Sequence, residues 1–422
     1  MPNPACRRHC TTGSAGRQKP RNAIVCRQRA VRRADSWHRR SEVRSPAESY
    51  CLPATVVPIV QVILPPIAWV AHGAAWSRNA DYTVRCGSGH DRNFPAARAY
   101  PDLQRLQRAR ARGKRDEGMY AVVGATGKLG MEICRQLVAS RKPVRALVRA
   151  AAQRDRLAEL QALGVRIVPG DLQDRASLEA VCRDAMAVIS TANTLGSRQP
   201  HDSILASDLE GHRNLLGAAR KAGVQRFVFV SLSGCMPAWE AFVQARRAVE
   251  AYVRASGLVY TILGPAPIME TWLTPSMVVD ITGARARPFG SGDGKLSWIA
   301  RGDVARFAIT LPEYPLARDA TIDVGGPDWL SQNEVIRLCE ALSGRPFTVE
   351  HLPEPVLRMQ LAAATDEYAR AVAGLELHIA QGEGEPIDMR PVLQACPLRL
   401  VSIREFVHGV LAAQAAVPAD AH

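Results

Sequence analysis

From residue 119 onward the apolar positions follow two alternating rhythms. Short unbroken runs rich in β-branched and aromatic residues occupy 120–124, 144–148, 165–168, 186–191, 226–230 and 259–263, and these predict strands. Between them, apolar side chains return every three or four positions over 128–139, 153–163, 174–183, 203–222 and 238–255, which predicts helices. The strands are apolar on both faces, as Val188-Ile189 and Phe227-Val228-Phe229-Val230 show. That pattern suits strands covered on both sides, so the fold class is α/β with a doubly wound parallel sheet. Such a sheet takes ligands beyond the carboxyl ends of its strands, which makes the residues just after each strand the functional candidates.

Beyond residue 264 the pattern is less regular. Pro265 to Trp272 reads as an apolar lid over a substrate, with Met269 and Trp272 equally open to a packing role. Phe289 to Gly294 reads as a turn before a strand, Leu296 to Ile299, and Asp303 as the N-cap of a helix over Val304 to Thr310. Ser331 and Glu334 form a capping box for a helix to Ser343. Residues 351–390 give long helical patterns without chemistry, and the tail after 413 is Ala-rich.

Residues 1–118 differ in kind. All of the chain's net charge of +14 sits there, as 22 Lys+Arg against 8 Asp+Glu, and the remainder carries 32 of each. The neutral remainder removes nucleic acid from the expected partners. Arg-rich clusters and scattered prolines without a sustained period predict a basic, disordered N-terminal extension. Leu52 to Ala71 is long and apolar, but Pro53, Pro58, Pro65, Pro66 and Gln61 interrupt it and argue against a membrane anchor. Met119 stands where a compact nucleotide-binding protein would begin. The front segment is therefore either an over-extended reading of the gene or, being Arg-rich and acid-poor, an organellar transit peptide. Ten cysteines contain no C-x-x-C pair, and Cys134 and Cys182 fall on apolar helix faces. This is the usage of a reducing compartment such as the cytoplasm, with no metal site indicated.

The chemistry concentrates at Gly124-Ala125-Thr126-Gly127-Lys128-Leu129-Gly130, between the first strand and the first helix. A helix begins with unpaired N–H groups and a partial positive charge, which suits a pyrophosphate. Glycines serve the sharp turn, the approach of ligand to backbone and the packing of helix on strand. A P-loop would need Ser or Thr after its Lys, and Lys128 is followed by Leu129. Arg149 ends the second strand where an NAD site usually carries an acid, so NADP(H) is favoured over NAD(H), unless Arg149 is only a solvated charge. After the third strand, Asp171 would bond adenine and Leu172 cover the ring, or Asp171 would cap a turn and Asp174 the helix. Thr191 and Ala192, after the fourth, are small enough for a dinucleotide to lie against the backbone, or serve the turn.

Together with Leu147-Val148-Arg149, Gly170-Asp171-Leu172, Arg226 to Ser231 and Ser256 to Leu263, this loop resembles the NmrA-like family of atypical short-chain dehydrogenase/reductases over residues 119–350. The resemblance implies a Rossmann-type NAD(P)-binding domain and a smaller substrate-side lobe from about residue 264, with residues 351–422 as a C-terminal helical segment. It implies an oxidoreductase of a small apolar carbonyl or quinone-like substrate, or a non-catalytic cofactor sensor or assembly factor with a protein partner. Short-chain dehydrogenases use Tyr-x-x-x-Lys, in which the lysine makes the phenol a better acid. No such pair lies on the helix 238–255, and four residues before Glu250, where NmrA-like reductases often keep a lysine, stands Arg246. Gly264 replaces the family's arginine before Pro265. Ser231 occupies the place of the catalytic-region serine or threonine, to polarise a carbonyl or to shape the turn.

Overall fold

A computed structural model describes residues 81–85, 91–95 and 118–415, apart from 197, 198, 200, 201 and 237–239. The expectations for Leu52 to Ala71, for the disorder of most of the first 118 residues and for the end of the Ala-rich tail lie outside the described residues. Within the front segment, β1 (Asp81–Arg85) pairs antiparallel with β2 (Asp91–Pro95), Asp81 opposite Pro95. This short pairing lies within an extension expected to be mostly disordered. Its signal is local: Tyr82, Thr83 and Val84 are residue types that favour a strand.

The main domain alternates as its periodicity predicts. In order come β3 (Met119–Val123), α1 (Lys128–Ala139), β4 (Val144–Val148), α2 (Arg154–Ala162), β5 (Arg166–Pro169), α3 (Arg175–Cys182) and β6 (Ala185–Ser190). A π-helical stretch, Ile204–Glu210, leads into α4 (Gly211–Lys221), and β7 (Arg226–Val230), α5 (Ala241–Ala255) and β8 (Tyr260–Pro265) follow. The helix expected over 203–222 is thus wound in two ways, with the Ser203 hydroxyl capping its wide first part through the Ala206 amide at 2.9 Å.

The C-terminal part contributes α6 (Met269–Trp272), β9 (Val279–Asp280), β10 (Arg285–Ala286), β11 (Lys295–Trp298), α7 (Arg301–Thr310) and β12 (Ala320–Val324). Then come β13 (Asp328–Ser331), α8 (Gln332–Ser343), β14 (Thr348–Val349), α9 (Glu354–Ala363), α10 (Glu367–Gln381), α11 (Arg390–Ala395) and α12 (Ile403–Ala415).

The central sheet has seven parallel strands in the order β12-β8-β7-β6-β3-β4-β5. This is a Rossmann-type doubly wound sheet with one strand more than the six expected. β12 alternates buried and half-buried residues, the pattern of an edge strand, and therefore lacks the continuous apolar run that marks the others. On one face, Val122, Ala146 and Ile189 pack with Ile133 and Leu137 of α1 and Val304 and Phe307 of α7. On the other, Val123, Val188 and Phe229 pack with Leu178 of α3, Leu215 of α4 and Val249 of α5. Each fully buried Val, Leu or Phe contributes about 1.5–3 kcal/mol over its exposed state, so the two faces together hold the sheet closed.

A second core forms the smaller lobe. Met269, Trp272, Phe289 and Trp298 pack there with Val335 of α8, Leu377 of α10 and Val407 of α12, so these three helices are built into this lobe, whereas Val392 of α11 joins the sheet core. Met269 is fully buried, which gives it the packing role left open for the apolar segment after β8. The capping box forms as expected: Ser331 Oγ accepts from the Glu334 amide at 3.1 Å and Glu334 Oε2 from the Ser331 amide at 2.8 Å. Asp303 is not an N-cap, because α7 starts two residues earlier. It is buried in the first turn, accepts from the Val401 amide at 2.7 Å and pairs with Arg306, which fastens the C-terminal segment to the sheet domain.

Candidate cofactor and active site

Strand order reverses between β3 and β6, which in a doubly wound sheet puts the ligand crevice beyond their carboxyl ends. The glycine loop lies there. Gly124 has a φ of +86°, and a Cβ on it would stand 2.7 Å from the Ala192 amide nitrogen and 2.8 Å from Thr191 Oγ1. Glycine is therefore required where the ends of β3 and β6 touch. A Cβ at Gly130 would lie 2.1 Å from the Gly124 carbonyl oxygen, so Gly130 lets α1 seat against the turn. The Gly127 amide donates to the Gly124 carbonyl at 3.0 Å and closes that turn.

The amides of Thr126, Lys128 and Leu129 have no protein acceptor among the described residues, and Gly127 and Lys128 at the tip are exposed. Unpaired donors at the mouth of a twelve-residue helix fit a pyrophosphate. This is the structural test of the dinucleotide expectation, and the residues fit.

The adenosine side is more crowded with charge. Arg149 leaves the end of β4 and donates from Nη1 to Asp202 Oδ2 at 2.6 Å, with Asp171 Oδ2 4.0 Å from its Nε. Asp171 closes a turn by accepting from the Gln173 amide at 2.9 Å, and Asp174 caps α3 through the Ala176 amide at 3.0 Å. Leu172 packs over Gly211 at the start of α4, where a Cβ would stand 2.8 Å from its own. Thr191 Oγ1 faces the carbonyls of Val123 and Gly124 at 3.4 Å, at the seam of the two strands.

Arg246 and Ser231, the catalytic candidates, are buried beneath this crevice. Arg246 donates to the carbonyls of Ala192, at 2.9 Å, and Val230, lies over the Phe229 ring at 4.3 Å, and approaches Asp208 Oδ1 at 3.9 Å. Burial lowers it to about 10 against the raising influence of Asp208 and Glu250, which still leaves the guanidinium charged at neutral pH. Ser231 donates from Oγ to Glu250 Oε1 at 2.7 Å, and Glu250 also takes Arg247 at 2.6 Å and Arg254 at 3.0 Å. Arg247 further binds the carbonyls of Leu232 and Ser233, so the turn after β7 is clamped from α5. At Gly264 a Cβ would stand 2.1 Å from Asp323 Oδ1, so the aspartate fills the space a side chain there would need.

Three polar residues here carry no motif. Asp208, fully buried, accepts from Thr194 Oγ1 at 2.6 Å; burial raises it, opposed by Arg246 and Thr194. His212 donates from Nδ1 to the Asp208 carbonyl at 2.7 Å, so its Nε2 accepts the Ser190 hydroxyl at 2.9 Å. Burial pushes His212 down to about 3, so it stays neutral and cannot serve as an acid at physiological pH. Asp208 and His212, four apart on the inner face of 203–222, were visible as polar interruptions of an apolar stripe. Asp202 had no such signal, because a loop carries it to Arg149 from 53 residues away.

A family model described as NAD(P)H-binding matches residues 124–315, which begins at the glycine loop. An NAD(P)H azoreductase of Xenophilus azovorans is 31% identical over 233 residues, covering 54% of this chain and 75% of the relative. The chain belongs to the NAD(P)H-binding, NmrA-like branch of the atypical short-chain dehydrogenase/reductases. Within this family, a photosystem II assembly factor of Synechocystis is 28% identical, over 65% of this chain and 83% of its own length. An NADPH-dependent quinone oxidoreductase of Escherichia coli, solved with NADPH, has the same fold, with a TM-score of 0.56 at 20% identity over 69% of this chain and all of its own. No helix among the described residues of this NmrA-like chain is long and apolar enough to cross a membrane.

Proposed function

We propose that this chain is an NADP(H)-favouring reductase of a small apolar carbonyl or quinone-like compound. The observation that carries the reading is the exposed loop with unpaired amides at Thr126, Lys128 and Leu129, with Arg149 at the end of the next strand. The loop would hold the pyrophosphate, Arg149 the 2′-phosphate through paired charged donors, and Asp171 and Leu172 the adenine. The bound cofactor supplies a hydride. Thr191 and Ala192 leave the floor of the crevice bare for the nicotinamide half, and Arg246 fixes that floor by gripping the Ala192 carbonyl. Ser231 orders the turn after β7 by donating its one proton to Glu250, and would act on a carbonyl there only by turning that proton onto it.

A second reading, a non-catalytic cofactor sensor or assembly factor, is favoured by the same residues. Arg246 and Ser231 are both buried and engaged, so neither offers the exposed acid that Tyr-x-x-x-Lys supplies.

Turnover separates the two. The full chain, mixed with a panel of quinones and carbonyls, is expected to consume NADPH with at least one acceptor and to prefer it to NADH by about tenfold, roughly 1.4 kcal/mol. Arg149→Ala is expected to erase the preference. Tight binding of NADPH without turnover on any acceptor would overturn the reductase reading in favour of the second.

A further inference from the structure

Asp202 is not an exposed counter-ion that drifted onto Arg149. Its side chain is 1% exposed, and both carboxylate oxygens are held: Oδ2 by the Gln199 amide at 2.7 Å and by Arg149, Oδ1 by the Ser207 hydroxyl at 2.8 Å. Ser207 in turn takes the Gln173 side-chain amide at 3.2 Å, next to Asp171 and Leu172. A backbone amide and a hydroxyl therefore fix an anion against the cation that would read a 2′-phosphate. Burial works to protonate Asp202, but the Gln199 amide, Ser207 and Arg149 together hold it below the ordinary carboxylate range, so it is ionised at neutral pH.

We infer that Asp202 is a specificity-determining residue of the adenosine ribose subsite. It competes with a 2′-phosphate for Arg149 and so restrains the preference for NADP(H). The inference rests on the reading that Arg149 contacts that phosphate. Among the described residues, Arg149 faces the carboxylates of Asp202 and, 4.0 Å away, Asp171, and an arriving phosphate must displace or endure Asp202 at close range. The 2′-hydroxyl of NAD(H) brings no charge, and it can donate to the same oxygen, as it does to the acid of an ordinary NAD site. An acid delivered by a distant loop thus offsets the arginine that stands at the usual acid position.

The test is calorimetric titration of the full chain with NADPH and with NADH, beside Asp202→Asn, Asp202→Ser and Arg149→Ala. Both Asp202 variants are expected to bind NADPH about tenfold more tightly, about 1.4 kcal/mol, and NADH no more tightly than the parent. NADPH affinity unchanged or weakened in both, while Arg149→Ala abolishes the preference, would overturn the role of Asp202 and leave that of Arg149 intact. Loss of both cofactors in both variants would assign Asp202 to loop folding and overturn the inference equally. An NADPH-to-NADH ratio untouched by Arg149→Ala would instead remove the reading on which it rests.

Discussion

Gly130→Ala should lose at least about a hundredfold in NADPH affinity, roughly 2.7 kcal/mol, while the chain remains folded. The added Cβ would stand 2.1 Å from the Gly124 carbonyl oxygen and 2.7 Å from its carbon. Both are backbone atoms, so no rotamer relieves the clash. Either the turn shifts or α1 slides, and each moves the donors at Thr126, Lys128 and Leu129 away from a common target. Gly217→Ala is the matching control. It lies on the exposed face of α4 with nothing within 4 Å of an added methyl group, and should bind normally and gain about 0.5–1 kcal/mol from helix propensity. Isothermal titration with NADPH and circular dichroism on both variants decide the matter, and a Gly130→Ala protein that binds like the parent would contradict it.

The second large effect is structural. Arg246→Leu should cost about 3–5 kcal/mol of stability, because it removes the cation facing a fully buried Asp208 and frees the carbonyls of Ala192 and Val230. Urea unfolding without cofactor measures it. Adding Asp208→Asn should recover part of the loss, since the uncompensated charge disappears, and the two changes should therefore cost less together than their sum. A single-variant cost below about 1 kcal/mol would show that Arg246 is not holding the ends of β6 and β7.

What could be read in advance follows from how local each signal is. The six long strands and the helix 128–139 were legible because each carries its own period, and the glycine loop because turn, approach and packing fall within seven residues. Asp174 and the Ser331/Glu334 box were legible for the same reason. β12 was not, since an edge strand with one half-buried face lacks a continuous apolar run. Asp303 misled because an acid near a helix start suits either a cap or a buried tie, and only the approach of Val401 from 98 residues away separates them. At the site, residue identities were plain and their company was not. Arg149 announced a cation, but nothing near it in the chain announced Asp202. Ser231 and Arg246 follow from their positions after β7 and on α5, while their burial depends on Glu250 and Asp208 closing on them from helices that the chain pattern only outlines.

The central claim is that backbone donors between β3 and α1 receive the linked phosphates of a dinucleotide. Hydrogen exchange across residues 124–131, with and without NADPH, tests it most directly. Slowed exchange at Thr126, Lys128 and Leu129 on addition of cofactor is the predicted result. Exchange there that stays as fast as in the free chain, under conditions where NADPH is demonstrably bound, would contradict the account.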